Sequence, residues 1–460
     1  MASDGFSLHS FQELIDAGVL EIGDGYRAKN EELGGAGPIF LRAGHVTDTH
    51  IDFAGVERFH AELETKLQIK MSRPGDTVIT TKGNSTGRTT FVTKRMPPFV
   101  YSPHLSYWRT RNPKRLANGF LRYWSRGAEF TLQLSAMKGS TDMAPYMSLT
   151  DQRRLKITLP PPDEQDAIAN ILGVLDDKIE LNRRMNETLE GLARAIFQSW
   201  FVDFDPVRAQ RDGLPLPALS PTTAALFPDS FEDSDLGKIP KGWETAVLDD
   251  VTGFLIGGDW GKESNVEDAT EAVLCIRGAD IPSLQSGGVG KMPTRYLTAQ
   301  SLAKRRLREG DIVFEISGGS PTQSTGRPVL ATAAFLERLP LPLTCSNFCR
   351  LIRPADGTSP KFLYGLLRRL YAADEFLQYE NGTTGIKNLA FTVFSSIHRF
   401  VRPSNKVMAA FEVVVSPIYA KMAQVGFECE KLAAIRDALL PKLLSGEIRI
   451  GKGEERRVKT

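Results

Sequence analysis

Residues 159–206 read "LPPPDEQDAIANILGVLDDKIELNRRMNETLEGLARAIFQSWFVDFDP", and within them Ile168, Leu172, Leu175, Ile179, Asn182, Asn186, Leu189, Ala193, Ile196 and Trp200 recur at alternating steps of four and three. That spacing puts all of them on one seam of an α-helix, the pattern of a helix packed lengthwise against another. Three prolines lead in, and Asp163 is placed to cap the N-terminus. At about 1.5 Å per residue, roughly 33 residues span about 50 Å, too long for a helix that merely closes a compact domain. Residues 404–446 offer a partner: Phe411, Val415, Ile418, Met422, Val425, Cys429, Leu432, Arg436, Leu439 and Leu443 repeat the alternation, with Gly446 as the stop. Pro417 predicts a kink or a delayed start in this second helix. Paired antiparallel, the two seams would hold globular units at opposite ends, related by a pseudo-two-fold. Asn182 and Asn186 would cost stability in such a seam relative to leucine and fix its register. The alternative is a helix docked on its own domain, with the asparagines facing solvent.

The rest of the chain also comes in two copies. "IFLRAGHVTD" (39–48) is answered by "LCIRGADIPS" (274–283), and "RPGDTVITTKGNSTGR" (73–88) by "REGDIVFEISGGSPTQSTGR" (308–327). "KGST" (138–141) has a counterpart in "NGTT" (381–384), and "ITLPPP" (157–162) in "RFVRP" (399–403). Each half mixes short β-rich runs such as "DTVIT" and "DIVFEI" with helical stretches such as "SPKFLYGLLRRLYAADEFLQ", and each half ends in a long helix. Residues 206–240 contain six prolines and no periodicity, which predicts an extended connection. The expected organisation is a first domain over 1–160, a central helix over 161–205, a Pro-rich linker over 206–238, a second domain over 239–403, a C-terminal helix over 404–448 and a tail over 449–460.

A net charge of +2 from 57 basic and 55 acidic residues says little about partners, but its distribution says more. No acidic residue falls between Asp76 and Glu129, whereas Lys82, Arg88, Lys94, Arg95, Arg109, Arg111, Lys114, Arg115, Arg122 and Arg126 do. Phe91, Phe99, Tyr101, Tyr107, Trp108, Phe120, Tyr123 and Trp124 are set among them. Cations interleaved with aromatics, next to the small polar run "TKGNSTGRTT", suit phosphate and base-edge contacts. A solvated basic face is the plainer reading.

Catalysis finds little support. The nearest approach to the "NPP[YF]" motif of adenine amino-methylation is "RNPKR" (111–115), which lacks the second proline and the aromatic. "GGDWGKES" (257–264) has the wrong glycine spacing for a phosphate loop, and Glu263 where a magnesium-binding hydroxyl is needed. Asp176–Asp177 and Asp203/Asp205 lie on or beside the central helix, where solvation or capping explains them better than metal-dependent cleavage. Cys275, Cys345, Cys349 and Cys429 are too few and scattered for a disulfide framework, and neither they nor His45 and His50 form a ligand set at metal spacing. No cofactor or metal is expected. There is no apolar run of membrane length and no secretory leader, so the expected location is the cytoplasm.

The helix text quoted first, with "GKIPKGWETAVLDDV" (237–251) and "LLPKLLSGEIRI" (439–450), resembles the specificity subunit of type I DNA restriction-modification systems, and the resemblance runs over essentially the whole chain. It implies an α+β protein with two tandem target-recognition domains separated by two antiparallel coiled-coil spacer helices. It implies a non-catalytic chain that recognises a bipartite, asymmetric double-stranded DNA target and directs adenine methylation and cleavage by two methyltransferase subunits and translocase-nuclease subunits. The second helix departs from the pattern in lacking the "PPDEQ" lead-in of residues 161–165.

Base-contacting residues do not follow from the resemblance, so the DNA-contact candidates rest on local chemistry. They are Lys82, Asn84, Ser85, Arg88, Lys94 and Arg95 in the first half, and Ser317, Thr322, Gln323, Ser324 and Arg327 in the corresponding loop of the second. Arg or Lys would favour guanine, and Asn or Gln adenine, in a major groove. "KRRLR" (304–308) reads as a solvated face or a phosphate contact. The competing function is a coiled-coil scaffold or adaptor that binds DNA without sequence preference.

Overall fold

The computed structural model describes residues 5–47, 50–138, 145–216, 219–266, 268–319, 323–382 and 386–450. The chain forms two compact units, Met1–Asp177 with Ala433–Thr460, and Lys178–Leu432. Both long helices contribute to both units.

In the first unit, Leu20–Asp24, Leu105–Thr110, Thr77–Thr80 and Thr89–Phe91 form, in that spatial order, a four-stranded antiparallel sheet. A second sheet centres on Ile39–Leu41, antiparallel to Glu57–Arg58 and parallel to Phe99–Tyr101. Ser7–Ser10 pairs with Lys156–Leu159 and so ties the start of the first half to its end. The run Thr77–Thr80 is buried along its whole length, as suits a strand with neighbours on both sides. Its entry is a tight turn in which Gly75 takes a φ of +99° and Asp76 accepts from the Arg73 backbone N–H at 2.7 Å. Phe11, Trp108, Trp124 and Phe130 pack ring to ring at 5.1–6.0 Å, and the helix Asn118–Trp124 presses this core onto Ile168 and Leu172.

The second unit repeats the plan. Thr252–Gly257, Cys349–Pro354, Ile312–Glu315 and Pro328–Leu330 form a four-stranded antiparallel sheet with the same order of equivalent strands. Glu271–Ile276 pairs antiparallel with Thr294–Leu297 and parallel with Leu343–Cys345, and Glu244–Ala246 pairs with Phe400–Arg402. The matched sequence landmarks therefore occupy matched places in two copies of one topology. Cys345 and Cys349 end and begin strands in this unit and are buried, and desolvation pushes the Cys349 thiol up to about 12. Most of the "KGST" and "NGTT" landmarks lies outside the described residues.

The Pro-rich segment is not the extended connection expected of it. It carries helices at Asp205–Arg211 and Pro221–Ala224 and a hairpin of Phe231–Ser234 with Gly237–Pro240. Val207 and Phe227 are buried with Trp200 and Trp243, and Phe231 packs against that cluster. Pro206 and Pro221 sit in first turns, where a missing N–H costs nothing, so proline here shapes folded structure.

The two long helices are Pro162–Phe201 and Asn405–Leu444, 40 residues each, or about 60 Å. The first starts one residue before Asp163, with proline at the position that needs no donor. The second starts at Asn405, well before Pro417, which neither ends nor delays it. Pro417 is exposed, and Val413, whose carbonyl the proline leaves without an intrahelical donor, is 73% exposed, so water can take the donor's place. In the second unit Phe197 meets Phe411 at 6.0 Å between centroids, Asn186 Nδ2 donates to the Met422 carbonyl at 3.1 Å, and the Cys429 thiol donates to the Ile179 carbonyl at 3.7 Å. In the first, Arg436 Nη1 donates to Asp176 Oδ1 at 2.8 Å. Rising numbers on one helix meet falling numbers on the other, so the pairing is antiparallel.

All ten seam residues of the first helix are buried or half-buried. Asn182 and Asn186 do not face solvent: they are 0% and 2% exposed. Asn186 also donates to the Ser286 carbonyl at 3.0 Å, whereas the Asn182 amide has no partner in hydrogen-bond geometry among the described residues. The loop at Ser286 comes this close because Gly426 has no side chain: a Cβ there would lie 1.5 Å from the Gly287 carbonyl oxygen. Met422, Val425, Leu432 and Leu439 continue the second seam, the first two buried and the others half-buried.

Candidate nucleic-acid interface

The loop of residues 82–88 joins two neighbouring strands of the first unit's main sheet and is fastened at its base. Lys82 makes a single β-bridge with Tyr146, Gly83 N–H donates to the Pro145 carbonyl at 3.1 Å, and Thr86 Oγ1 donates to the carbonyls of Gly83 (2.7 Å) and Pro145 (2.9 Å). Thr80 closes the loop from below, its hydroxyl donating to the Ser85 carbonyl and accepting from Arg88 N–H at 3.1 Å. With the backbone so held, Lys82 and Asn84 stand exposed and Ser85 is half-buried. Arg88 turns back toward the protein and donates to the Val46 carbonyl at 2.9 Å. Lys94 and Arg95 are exposed in the turn after Thr89–Phe91.

The acid-free window divides once it is folded. Arg109 is a buried partner of Asp76 (Nε–Oδ1 2.7 Å, Nη2–Oδ2 2.8 Å), Arg111 meets Glu21 at 2.6 Å, and Arg122 and Arg126 reach Asp176. Their acids all lie at or outside the ends of the window, which is why the sequence shows them as unopposed. Lys82, Lys94, Arg95, Lys114 and Arg115 are exposed and make no ion pair among the described residues. The aromatics part company with these cations: Phe99, Tyr101, Tyr107, Trp108, Phe120, Tyr123 and Trp124 are core residues, so they are not a stacking surface. One exposed ring that sequence reasoning passed over is Tyr146, 60% exposed beside Lys82. Its only signal was the bridge itself, which joins residues 64 positions apart.

In the second unit the equivalent position is a small sheet. Ser317–Gly318 pairs with Lys387–Leu389, which pairs with Glu380–Asn381. Ser317 takes the place of Lys82 in the repeat but is buried, as is Ser324. Gln323 is exposed, and Thr322 lies outside the described residues. Arg327, the counterpart of Arg88, is buried and holds both oxygens of the fully buried Glu315, with Nε–Oε2 at 2.7 Å. Its guanidinium is therefore committed inside the protein, supporting the loop and not reading from it. Glu380, unremarked in the sequence, accepts from Thr325 N–H (2.6 Å) and Oγ1 (2.9 Å) and pairs with Lys387 at 3.0 Å. Burial raises its pKa, and these donors more than reverse that, holding the carboxyl below its usual range. In the "KRRLR" run, Arg305 Nε donates to the Gly257 carbonyl at 2.9 Å, while Lys304 and Arg306 are exposed.

Residues 18–191 match the family model described as the type I restriction modification DNA specificity domain. The chain is 29% identical over 342 residues to the HindI specificity subunit of Haemophilus influenzae, covering 66% of this chain and 71% of that protein. It is 26% identical over 316 residues to the MjaIX specificity subunit of Methanocaldococcus jannaschii, covering 66% and 63%. In fold it is similar to the type I restriction-modification S subunit from M. genitalium, with a TM-score of 0.54 over 95% of this chain and 96% of that one at 16% identity. Among the described residues no helix is long and apolar enough to cross a membrane. Residues 18–191 thus carry a type I restriction modification DNA specificity domain, and the chain's relatives and its neighbour in fold are type I restriction-modification specificity subunits, which supports a sequence-recognition subunit with catalysis in partner subunits.

Proposed function

We propose that each unit reads one half of a bipartite, asymmetric duplex target and that the paired helices set the gap between the halves. The observation that carries this reading is the repeated placement of a fastened loop between equivalent strands, with different exposed side chains: Lys82 and Asn84 in one unit, Gln323 in the other. A fixed support with a variable tip is what reading two different half-sites requires. Lys82 and Asn84 suit guanine and adenine edges, Gln323 suits adenine, and Ser85, Lys94 and Arg95 supply backbone or secondary contacts. Ser317, Ser324, Arg88 and Arg327 act through loop shape, and Thr322, outside the described residues, stays a contact candidate on its chemistry alone. In the cytoplasm, two methyltransferase subunits would dock on the chain and methylate one adenine per strand, and translocase-nuclease subunits would cut unmodified DNA.

Selection from a pool of random-sequence duplexes by the chain assembled with its methyltransferase tests the reading. Enrichment of two short fixed blocks around a gap of constant length is expected, and retention of the pool without sequence preference would favour the scaffold reading instead. Binding should also weaken steeply with salt.

A further inference from the structure

Three arginines of the first unit converge on Asp176. Arg122 Nη2 and the Tyr123 hydroxyl (2.9 Å) both donate to Oδ2, Arg436 Nη1 donates to Oδ1 at 2.8 Å, and Arg126 Nη1 stands 3.6 Å from Oδ2. Asp437, at the rim and 64% exposed, is the other carboxylate in the cluster and among the described residues engages only Arg436. A single buried carboxylate has too few lone pairs for three guanidinium forks. The shortfall is visible: Arg122 Nε is buried without a partner, and the Arg126 guanidinium makes no hydrogen bond among the described residues. Burial, and then the neighbouring charge of Arg122, holds Arg126 below the usual arginine range.

The fold does not demand this surplus. In the second unit the helix equivalent to Asn118–Trp124 presents Arg368 to one carboxylate, Glu190, beside Tyr364 and Tyr419, so one cation meets one anion. The first unit keeps two more arginines at the corresponding place, and each of its three is still about one-fifth exposed (18%, 21% and 21%). The cluster is also continuous with the proposed DNA face. Arg122 lies over the Phe91 ring at 5.0 Å, and the Ser125 hydroxyl donates to Thr89 Oγ1 at 3.2 Å. Phe91 and Thr89 belong to the short strand that joins the loop 82–88 to Lys94 and Arg95.

We infer that Arg126, with Arg122 beside it, receives a backbone phosphate of the bound duplex, a sequence-independent anchor for the half-site read by the first unit. The inference rests on the proposed course of DNA along the loop 82–88. A phosphate oxygen at the exposed edge would satisfy donors that Asp176 cannot reach and release the counterions of that phosphate.

The test uses the full chain, a fluorescent duplex of arbitrary sequence and a series of salt concentrations. Arg126→Gln should flatten the slope of log affinity against log salt by about 0.9, as expected for one lost phosphate contact, and Arg126→Lys should restore most of it. An unaltered slope in Arg126→Gln overturns the inference, and does so even if that variant loses its methyltransferase, a result that would assign the cluster to an acidic protein side chain. Should Arg126→Gln not fold, phenylglyoxal labelling of the unaltered chain decides: Arg126 should be protected by the duplex, and equal labelling with and without DNA overturns the inference. A wild-type chain that does not bind the duplex at all would instead sink the DNA-face reading, and this inference with it.

Discussion

Asp76 and Asp311 do the same work in the two units. Each is fully buried, closes the turn before its strand by accepting from a backbone N–H at 2.7 Å (Arg73 and Arg308), and takes a two-bonded arginine, Arg109 or Arg353, from the neighbouring strand. Removing one partner leaves an uncompensated charge inside the protein, so Asp76→Asn should cost about 3–5 kcal/mol of stability by denaturant unfolding of the chain. Asn182 should behave in the opposite way: among the described residues its buried amide has no partner better than the weakly accepting Cys429 sulfur, and Asn182→Leu should gain about 1 kcal/mol while loosening the register of the helix pair. Asp176 sets a pH dependence. Burial raises its pKa, but Arg122, Arg436 and Arg126 outweigh burial and hold the folded value below the ordinary one. Its contribution is then complete above the unfolded carboxylate pKa of about 3.9 and lost as pH falls through the lower folded value. Acid unfolding of Asp176→Asn should show a shallower loss of stability across that window, and an unchanged acid limb would contradict the assignment. Residues of this kind were hidden in the sequence. The "GD" turns could be seen as repeated landmarks, but the arginines that complete them come from strands more than 30 positions away, as do Glu21 and Asp176 for the basic window.

At the scale of elements, the seams were legible because their signal is local: a helix writes its buried face at steps of four and three whatever else surrounds it. The start of the second helix departs from the sequence expectation because an interior proline is costly only where its freed carbonyl is shut away, and the exposed position of Pro417 lets water answer that carbonyl. The segment 206–240 folds where its sequence predicts extension because its prolines are interspersed with apolar residues such as Val207 and Phe227 that find buried places. If the helices are the ruler of the proposed function, inserting one heptad into both should lengthen the gap in the recognised site by about 10 Å, or about three base pairs, with both half-sites unchanged. A gap of the original length would show that the helices do not set it.

Over the whole molecule, duplication explains both how much the sequence disclosed and where it fell short. Two copies of one topology made the architecture readable without a partner sequence, since Ile39–Leu41 with Glu271–Ile276, and Thr77–Thr80 with Ile312–Glu315, occupy equivalent strands. The loops did not transfer between copies: the place of Lys82 is taken by a buried serine, and Arg327 is engaged by a glutamate where the first unit has Thr80. The most direct test of two independent readers in one chain is the genome-wide methylation pattern of a host carrying the chain with the methyltransferase of the proposed complex, compared among the natural chain, Lys82→Ala/Asn84→Ala and Gln323→Ala. The natural chain should give one split motif, the first variant should relax only one half of it, and the second only the other. A motif that persists without this chain, or variants that alter both halves alike, would contradict the account.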